Sequence, residues 1–420
     1  MPRIRKIIPL FFIFAIIILI AGSCFSPWKG ETGEGKLIIN LSLGSRAIID
    51  PEKIALFEHE IILKGPGGTI SRKINGTGTV SIELAAGKWD LKIRATEHDP
   101  LGDSPAAHGQ ILRALGWSNV TIKAGQISTA RVDMFSASTV TDWEELKGLI
   151  EDVDLPQLLP EEIFVIKGDL SVTDYIIVDR KITIIAESDD VFIQRAFKND
   201  NVYWSFFSVE TGGLLKLKGD DGGRLFLDGG DGLDIVAGAN IIEIQNGVLD
   251  MYDGVILQNN TANIMYGGAV LINNGTFSMY GGTITGNSAA YYGSGVYVGG
   301  GSFIMEGGTI SGNNSNEYGG GVYVNNGHFG MTGGTISGNN ATLYGGGVYV
   351  GSSGSFTKRG GGTIYGYDAD IRDRNTSGDF YGHAVYAASN SNYSTPERLR
   401  NSTAGPRTDL DPLESSNWDL

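Results

Sequence analysis

Gly307-Gly308-Thr309-Ile310-Ser311-Gly312-Asn313, a short variable stretch closing on Tyr318-Gly319, then Val322-Tyr323-Val324 and Gly327-His328-Phe329-Gly330-Met331, make up one unit of a repeat. Its Gly-Gly-Thr starts fall at Gly281, Gly307 and Gly333, so neighbouring units begin 26 residues apart, a period that belongs to stacked solenoid units. Three short runs in each unit alternate apolar and polar residues two by two, as strands do, and none shows the 3.6-residue period of a helix. Gly and Asn fill the corners, where a sharp bend or a positive φ is needed. One unit therefore reads as one three-sided turn of a parallel β-solenoid.

Stacking places equivalent residues above one another at the strand spacing of about 4.8 Å. The expected inward columns are Ile256, Ile284, Ile310, Ile336 and Ile364; Val270, Val296, Val322 and Val348; and Leu249, Phe277, Phe303, Phe329 and Phe356, with Met251, Met279, Met305 and Met331 beside them. A single coil cannot bury such residues alone, so only the stack makes a core. Asn259, Asn287, Asn313 and Asn339 form a polar column whose amides can hydrogen-bond along the ladder. The column is expected to stop at Tyr367, where the regular stack closes.

The rest of the chain frames this stack. Residues 1–23 open with the basic Met1-Pro-Arg-Ile-Arg-Lys6, continue with an apolar run from Ile7 to Ile20, and end in Ala21-Gly22-Ser23 before Cys24. That is the pattern of an export signal, too short and wrongly flanked for a stable span. Cys24 is the only cysteine, so no internal disulfide exists. Ala21-Gly22-Ser23-Cys24 resembles a bacterial lipobox of the relaxed kind used by spirochaetes, which implies a lipid on Cys24 and attachment to a membrane.

Residues 24–35 read as a tether. Residues 36–137 carry longer alternating strands divided by turns such as Gly65-Pro-Gly-Gly68, a small antiparallel β-sandwich that resembles immunoglobulin-like or transthyretin-like modules. Residues 138–160 hold a helix and linker. Thr141 is placed as N-cap with Glu144 closing a capping box, and Trp143, Leu146, Leu149 and Ile150 form one apolar face able to lid the solenoid. Residues 161–390 are the β-helix, irregular in its early coils and clearest over 249–350; residues 391–420 are a polar cap or tail.

The formal charge is −15, and removal of Arg3, Arg5 and Lys6 with the signal takes the mature chain to −18, which argues against nucleic acid as a partner. Between residues 251 and 350 the only formal charges are Asp253, Glu306 and Glu317. Gly219-Asp220-Asp221-Gly222 and Asp228 offer paired carboxylates of the kind a glycoside hydrolase needs, although the companion motifs of polygalacturonases are missing. Gly229-Gly-Asp231-Gly-Leu-Asp234 matches one copy of the calcium-binding nonapeptide, making Asp231 and Asp234 the Ca²⁺ candidates of a site that ordinarily needs stacked copies. Tyr297, Tyr323 and Tyr349 alternate with inward valines and are expected to point outward as a stripe, where they either stack on one another or contact sugar rings. No nucleophile triad, zinc spacing or phosphate loop is present.

The Gly-Gly-Thr-Ile-Ser-Gly-Asn and Val-Tyr-Val pattern resembles the arrays of right-handed parallel β-helix proteins, especially treponemal lipoproteins, and is more distantly similar to chlamydial polymorphic outer-membrane proteins. Thr stands where the chlamydial repeat has Ala, and neither Phe-x-x-Asn nor a terminal barrel follows. The expected fold is all-β, a pectin-lyase-like right-handed parallel β-helix behind a small sandwich. The expected function is a non-enzymatic, lipid-anchored protein of the outer membrane or cell surface, or facing the periplasm. Its β-helix rod would serve adhesion or contact with glycans or with host or envelope proteins. The alternative is a polysaccharide lyase or glycoside hydrolase acting through Asp220, Asp221 or Asp228.

Overall fold

The computed structural model describes residues 34–41, 57–76, 78–98, 110–130, 132, 134–151, 161–196, 204–230, 239–262, 266–366, 369–378 and 383–388. The signal segment, Cys24, residues 25–33, the linker 152–160, Asp231, Asp234, Tyr367 and the tail from 389 onward lie outside these residues. Two compact units are present, the first ending at Met134 and the second running from Phe135, with Ile111–Ala114 grouped with the second.

In the first unit Glu34–Leu41 pairs antiparallel with Gly78–Ala85 and parallel with Ile127–Ala130. A second sheet joins Gly68–Asn75, Phe57–Gly65, Gly87–His98 and Gln110–Ile122 in that order. Alternate residues from both sheets are buried, Leu37, Ile39, Ile82 and Leu84 from one and Phe57, Ile61, Leu63, Leu91 and Ile93 from the other, which makes a two-layer sandwich. Trp89 sits in it with its indole N–H on Ala85 O at 2.8 Å. Its ring would lie 2.3 Å from a Cβ at Gly65, so the first glycine of the Gly-Pro-Gly-Gly turn is required by packing as well as by the bend. The last strand of this unit is Ile127–Ala130, and the side chains of Gly68–Asn75 are mostly exposed.

The second unit is a parallel β-solenoid. Its strands stack into an eight-stranded sheet containing Thr309–Ser311, an eight-stranded sheet containing Val322–Val324, and a long sheet containing His328–Met331. A fourth sheet of two-residue strands, Thr261–Ala262, Ser288–Ala289, Asn314–Ser315, Asn340–Ala341 and Thr376–Ser377, occupies the corner after the asparagine column. The coil is thus three-sided with a short fourth side. The residues between Asn313 and Tyr318 that look variable in sequence supply it, sending Ala289, Ser315 and Ala341 inward.

Register confirms most columns. Leu249, Phe277, Phe303, Phe329 and Phe356 are successive partners, and their phenyl rings stack at 4.8, 4.7 and 4.9 Å between centroids. Full burial of one such side chain contributes about 1.5–3 kcal/mol, so the few inward residues of a single coil cannot offset the cost of ordering it, and the stack must fold as one. The methionine column continues Met251, Met279, Met305, Met331 and ends at a fully buried Lys358.

One expectation is wrong by a single residue. Ile256 pairs with Thr283 on the outer surface, and the inward column instead runs Leu170, Ile193, Leu227, Leu257, Ile284, Ile310, Ile336, Ile364. The coil from Gly254 to Asn260 has one residue more than its successors, and in a strand a one-residue slip exchanges the two faces. The same slip moves the asparagine column: Asn260 is buried, whereas Asn259 takes φ 55° at the corner where Gly286 and Gly312 have φ 67° and 65°. Asn is among the few residues with a side chain that enter this left-handed region readily.

The asparagine column is a continuous buried ladder. Nδ2 of Asn287, Asn313 and Asn339 donates to Oδ1 of Asn313, Asn339 and Asn375 at 3.0, 2.9 and 2.9 Å, and each backbone N–H donates to the same oxygen. It does not stop at Tyr367, because the chain makes a detour after Tyr365 and returns Asn375 to the column. At the other end Arg195 donates to Asn260 Oδ1 at 3.1 Å and to the carbonyls of Trp204 and Ala239. The amide oxygens all face the earlier coil, so the buried guanidinium meets the negative end of the amide row. Burial lowers its pKa to about 10.

A helix at Trp143–Ile150 closes the first coils. Its N-cap is Asp142, which accepts from Glu145 N–H at 2.8 Å, while Glu145 reaches back to the N–H of Thr141 at 3.0 Å; the capping box sits one residue later than Thr141 and Glu144. Trp143, Leu146 and Ile150 are buried and Leu149 is exposed. Trp143 meets Phe207 at 5.4 Å, and Lys147 bonds Asp174 at 2.6 Å. Ahead of the helix, Phe135–Val140 pairs in parallel with Glu162–Ile166, so the long sheet begins before the lid.

Candidate functional site

The outer surface of the Val-Tyr-Val sheet carries the largest aromatic assembly in the described residues. Tyr297, Tyr323, Tyr349 and Tyr386 are successive partners along the sheet, stacked at 5.3, 4.9 and 5.1 Å with planes within 12°. A second ladder of Tyr266, Tyr292, Tyr318 and Tyr344 rises from the Tyr-Gly corner, at 5.3, 5.3 and 5.7 Å. The two are offset by one coil. Tyr266 stacks on Tyr297, Tyr292 on Tyr323, Tyr318 on Tyr349 and Tyr344 on Tyr386, at 4.7 to 4.9 Å.

This corrects the expectation of an open stripe. Tyr297 and Tyr323 are only 6 % and 9 % exposed because the corner ladder covers them. Burial pushes the phenols of Tyr292 and Tyr297 up to about 12, and those of Tyr323 and Tyr349 higher still. What faces solvent is the corner ladder, headed by Tyr266 at 41 % exposure, with Tyr291 beside it at 45 %. Glu317 adds to the rise at Tyr292, and Asn325 opposes it at Tyr297. The corner tyrosines were visible in the repeat, at 292, 318 and 344, as part of its turn; their period equals that of the strand tyrosines, which is the signal that pairs them.

Following the tyrosine column toward the N-terminus leads from Tyr297 to Leu271, Glu243 and Ser208. Glu243 accepts from Gln245 at 2.5 Å and from Asn273 at 2.8 Å, and Ser208 donates to Glu210 at 2.7 Å. Burial raises the Glu243 carboxyl above its usual range, the Glu210 charge adds to that, and the Asn273 bond opposes it.

The structure divides the predicted acidic candidates. Asp220 and Asp221 come together, and they are joined by Glu187, which pairs with Asp220 across the long sheet; ligand oxygens of the three lie within 4.8 Å of one another. Lys218 is 3.4 Å from Asp220 and Lys167 is 3.9 Å from Glu187, so two ammonium groups offset two of the three carboxylates. Asp228 belongs to a different sheet and accepts from Gly230 N–H, Gln258 Nε2 and Asn259 Nδ2 at 2.9, 2.6 and 3.0 Å. The nearest oxygens of the trio lie closer than the about 6.5–9.5 Å that separates the carboxyls of an inverting glycosidase and near the about 5–5.5 Å of a retaining one. Glu187 escaped sequence reading because 33 residues separate it from Asp220. Comparison with protein-family models, with curated proteins and with solved structures yields no match.

Proposed function

We propose that this chain is a non-enzymatic, lipid-anchored protein of the cell envelope, held in the membrane through Cys24, whose solenoid is a rigid rod for adhesion or glycan contact. The observation that carries the reading is the double tyrosine ladder, set in a stretch of 100 residues, 251–350, that contains no Lys or Arg. Aromatic rings bordered by amides, hydroxyls and a few carboxylates suit polyhydroxylated ligands, and the lack of cationic groups disfavours anionic surfaces. A stack held by an internal amide ladder resists bending, which suits a spacer between membrane and target.

Two measurements test this. Cells fed radiolabelled palmitate should label the wild-type chain and not Cys24→Ser; equal labelling of both removes the anchor. The purified chain screened on neutral and acidic glycans, with and without calcium, should bind without releasing reducing ends. Turnover would replace the rod with an enzyme.

A further inference from the structure

Carbohydrates commonly rest on the open face of an aromatic ring, and this lattice leaves almost none. Tyr323 has Tyr297 on one side and Tyr349 on the other, and Tyr292 lies between Tyr266 and Tyr318 with Tyr323 across from it. The part of Tyr292 and of Tyr318 left to solvent is therefore the ring edge. Edges carry the positive rim of the ring quadrupole and, in tyrosine, a hydroxyl that both donates and accepts.

These edges form a row, one per coil, with ring centroids 5.3, 5.3 and 5.7 Å apart. That interval is close to the length of one sugar unit in an extended chain. Glu317 lies beside Tyr292 in the row, and Glu243, with Glu210 beside it, stands in the adjoining strand column two coils before Tyr297. No Lys or Arg occurs between residues 251 and 350 to offset them. Resting on the glycan reading above, we infer that the corner ladder Tyr266, Tyr292, Tyr318 and Tyr344 is a linear track for an uncharged, extended glycan chain. The chain lies along the solenoid axis with one sugar unit per coil and is gripped through its hydroxyls on the phenolic edges. Uronate-bearing chains meet carboxylates without a compensating cation and are rejected.

Calorimetric titration of the purified full chain with neutral β-linked oligosaccharides of increasing length tests the track. Affinity should climb with each added unit and level off at about four, one for each corner ring at the strand spacing. The combined variant Tyr292→Phe, Tyr318→Phe, Tyr344→Phe keeps every ring in the stack and removes three hydroxyls. It should melt as the parent does and lose at least about tenfold in affinity, since each lost hydrogen bond removes about 0.5–1.5 kcal/mol. Binding that is independent of length, that survives this variant, or that is as tight for oligogalacturonate as for neutral chains overturns the track while leaving glycan contact standing. If no chain binds at all, the glycan reading itself falls and the track with it.

Discussion

The regular coils from Thr276 to Val350 and the irregular ones from Glu161 to Met251 share one backbone plan and differ in what they allow on it. In the regular stack the rings and buried amides sit on their own kind: Phe303 on Phe277, Tyr323 on Tyr297, Asn313 on Asn287. Like residues stack well when they are rings or amides. They stack badly when charged, because equal charges directly opposite on neighbouring strands repel. Repetition therefore empties the regular surface of charge, leaving Glu306 and Glu317 where no neighbour repeats them. The early coils break the repeat, and opposite charges can meet: Lys216 with Glu161 at 2.7 Å, Lys218 with Asp220, Arg224 with Asp190. Chemistry that needs charge belongs to the irregular coils, and contact surfaces that need uniformity belong to the regular ones.

The sharpest way to break this contrast is to interrupt the inner ladder. Asn313→Ala strips the acceptor from two donors of Asn287 and the donor from Ile284 O, at about 1–3 kcal/mol for each buried group left unsatisfied, so a loss of at least about 3 kcal/mol is expected. Asn340→Ala removes two exposed side-chain bonds, one donated to Asn314 and one accepted from Thr376, and should cost under about 1 kcal/mol. Urea unfolding followed by circular dichroism compares the two; similar midpoints would deny the ladder its role.

Alkali attacks the tyrosine lattice next. For Tyr292 and Tyr297 the folded pKa of about 12 lies above the unfolded value near 10, so the neutral form is favoured by folding. Their contribution is whole below pH about 10 and is lost as pH rises toward 12. Absorbance at 295 nm should show these phenols ionising late and together with loss of structure, whereas early ionisation without unfolding contradicts their burial.

Charge forced into a repeat column gives a smaller effect. Thr283→Lys, Thr309→Lys and Thr335→Lys together place three ammonium groups in one column on the Thr-Ile-Ser face. Each adjacent pair should destabilise by up to about 1 kcal/mol at low salt and recover as salt screens it. A triple variant whose melting is insensitive to salt would show that repetition does not exclude charge.

Least is expected of Glu243→Gln. Because the Glu243 carboxyl is raised by burial and by Glu210, its charged form weighs against folding, and stability falls as pH rises from the unfolded carboxyl pKa through the folded one. The amide keeps an acceptor for Asn273, so the variant should gain under about 1 kcal/mol at neutral pH and flatten the fall in stability that begins above the unfolded carboxyl pKa of about 4. A loss at neutral pH would mean that the carboxylate charge itself holds this corner.

Much of this was legible in residues. The Phe, Val and Met columns follow directly from a 26-residue period with strand alternation, since stacked neighbours are one period apart. Asn260 and Leu257 were misplaced because an added residue before a corner shifts the strand without any mark in composition, and only φ 55° at Asn259 shows where the extra length went. Glu187 was invisible beside Asp220 and Asp221 because the early coils have no fixed period to predict what lies above what. The corner tyrosines were read as punctuation, although they carry half of the ring lattice.

Period, inward columns and the absence of charge are local patterns repeated, and the sequence alone determines them: a stack of equal coils has one solution for which side of each strand is dry. Tertiary structure alone decided which tyrosines stay wet and which asparagine turns inward. It also decided which carboxylates meet. Each of these depends on the sideways offset between a coil and its neighbour, a quantity set by corner geometry and packing across coils.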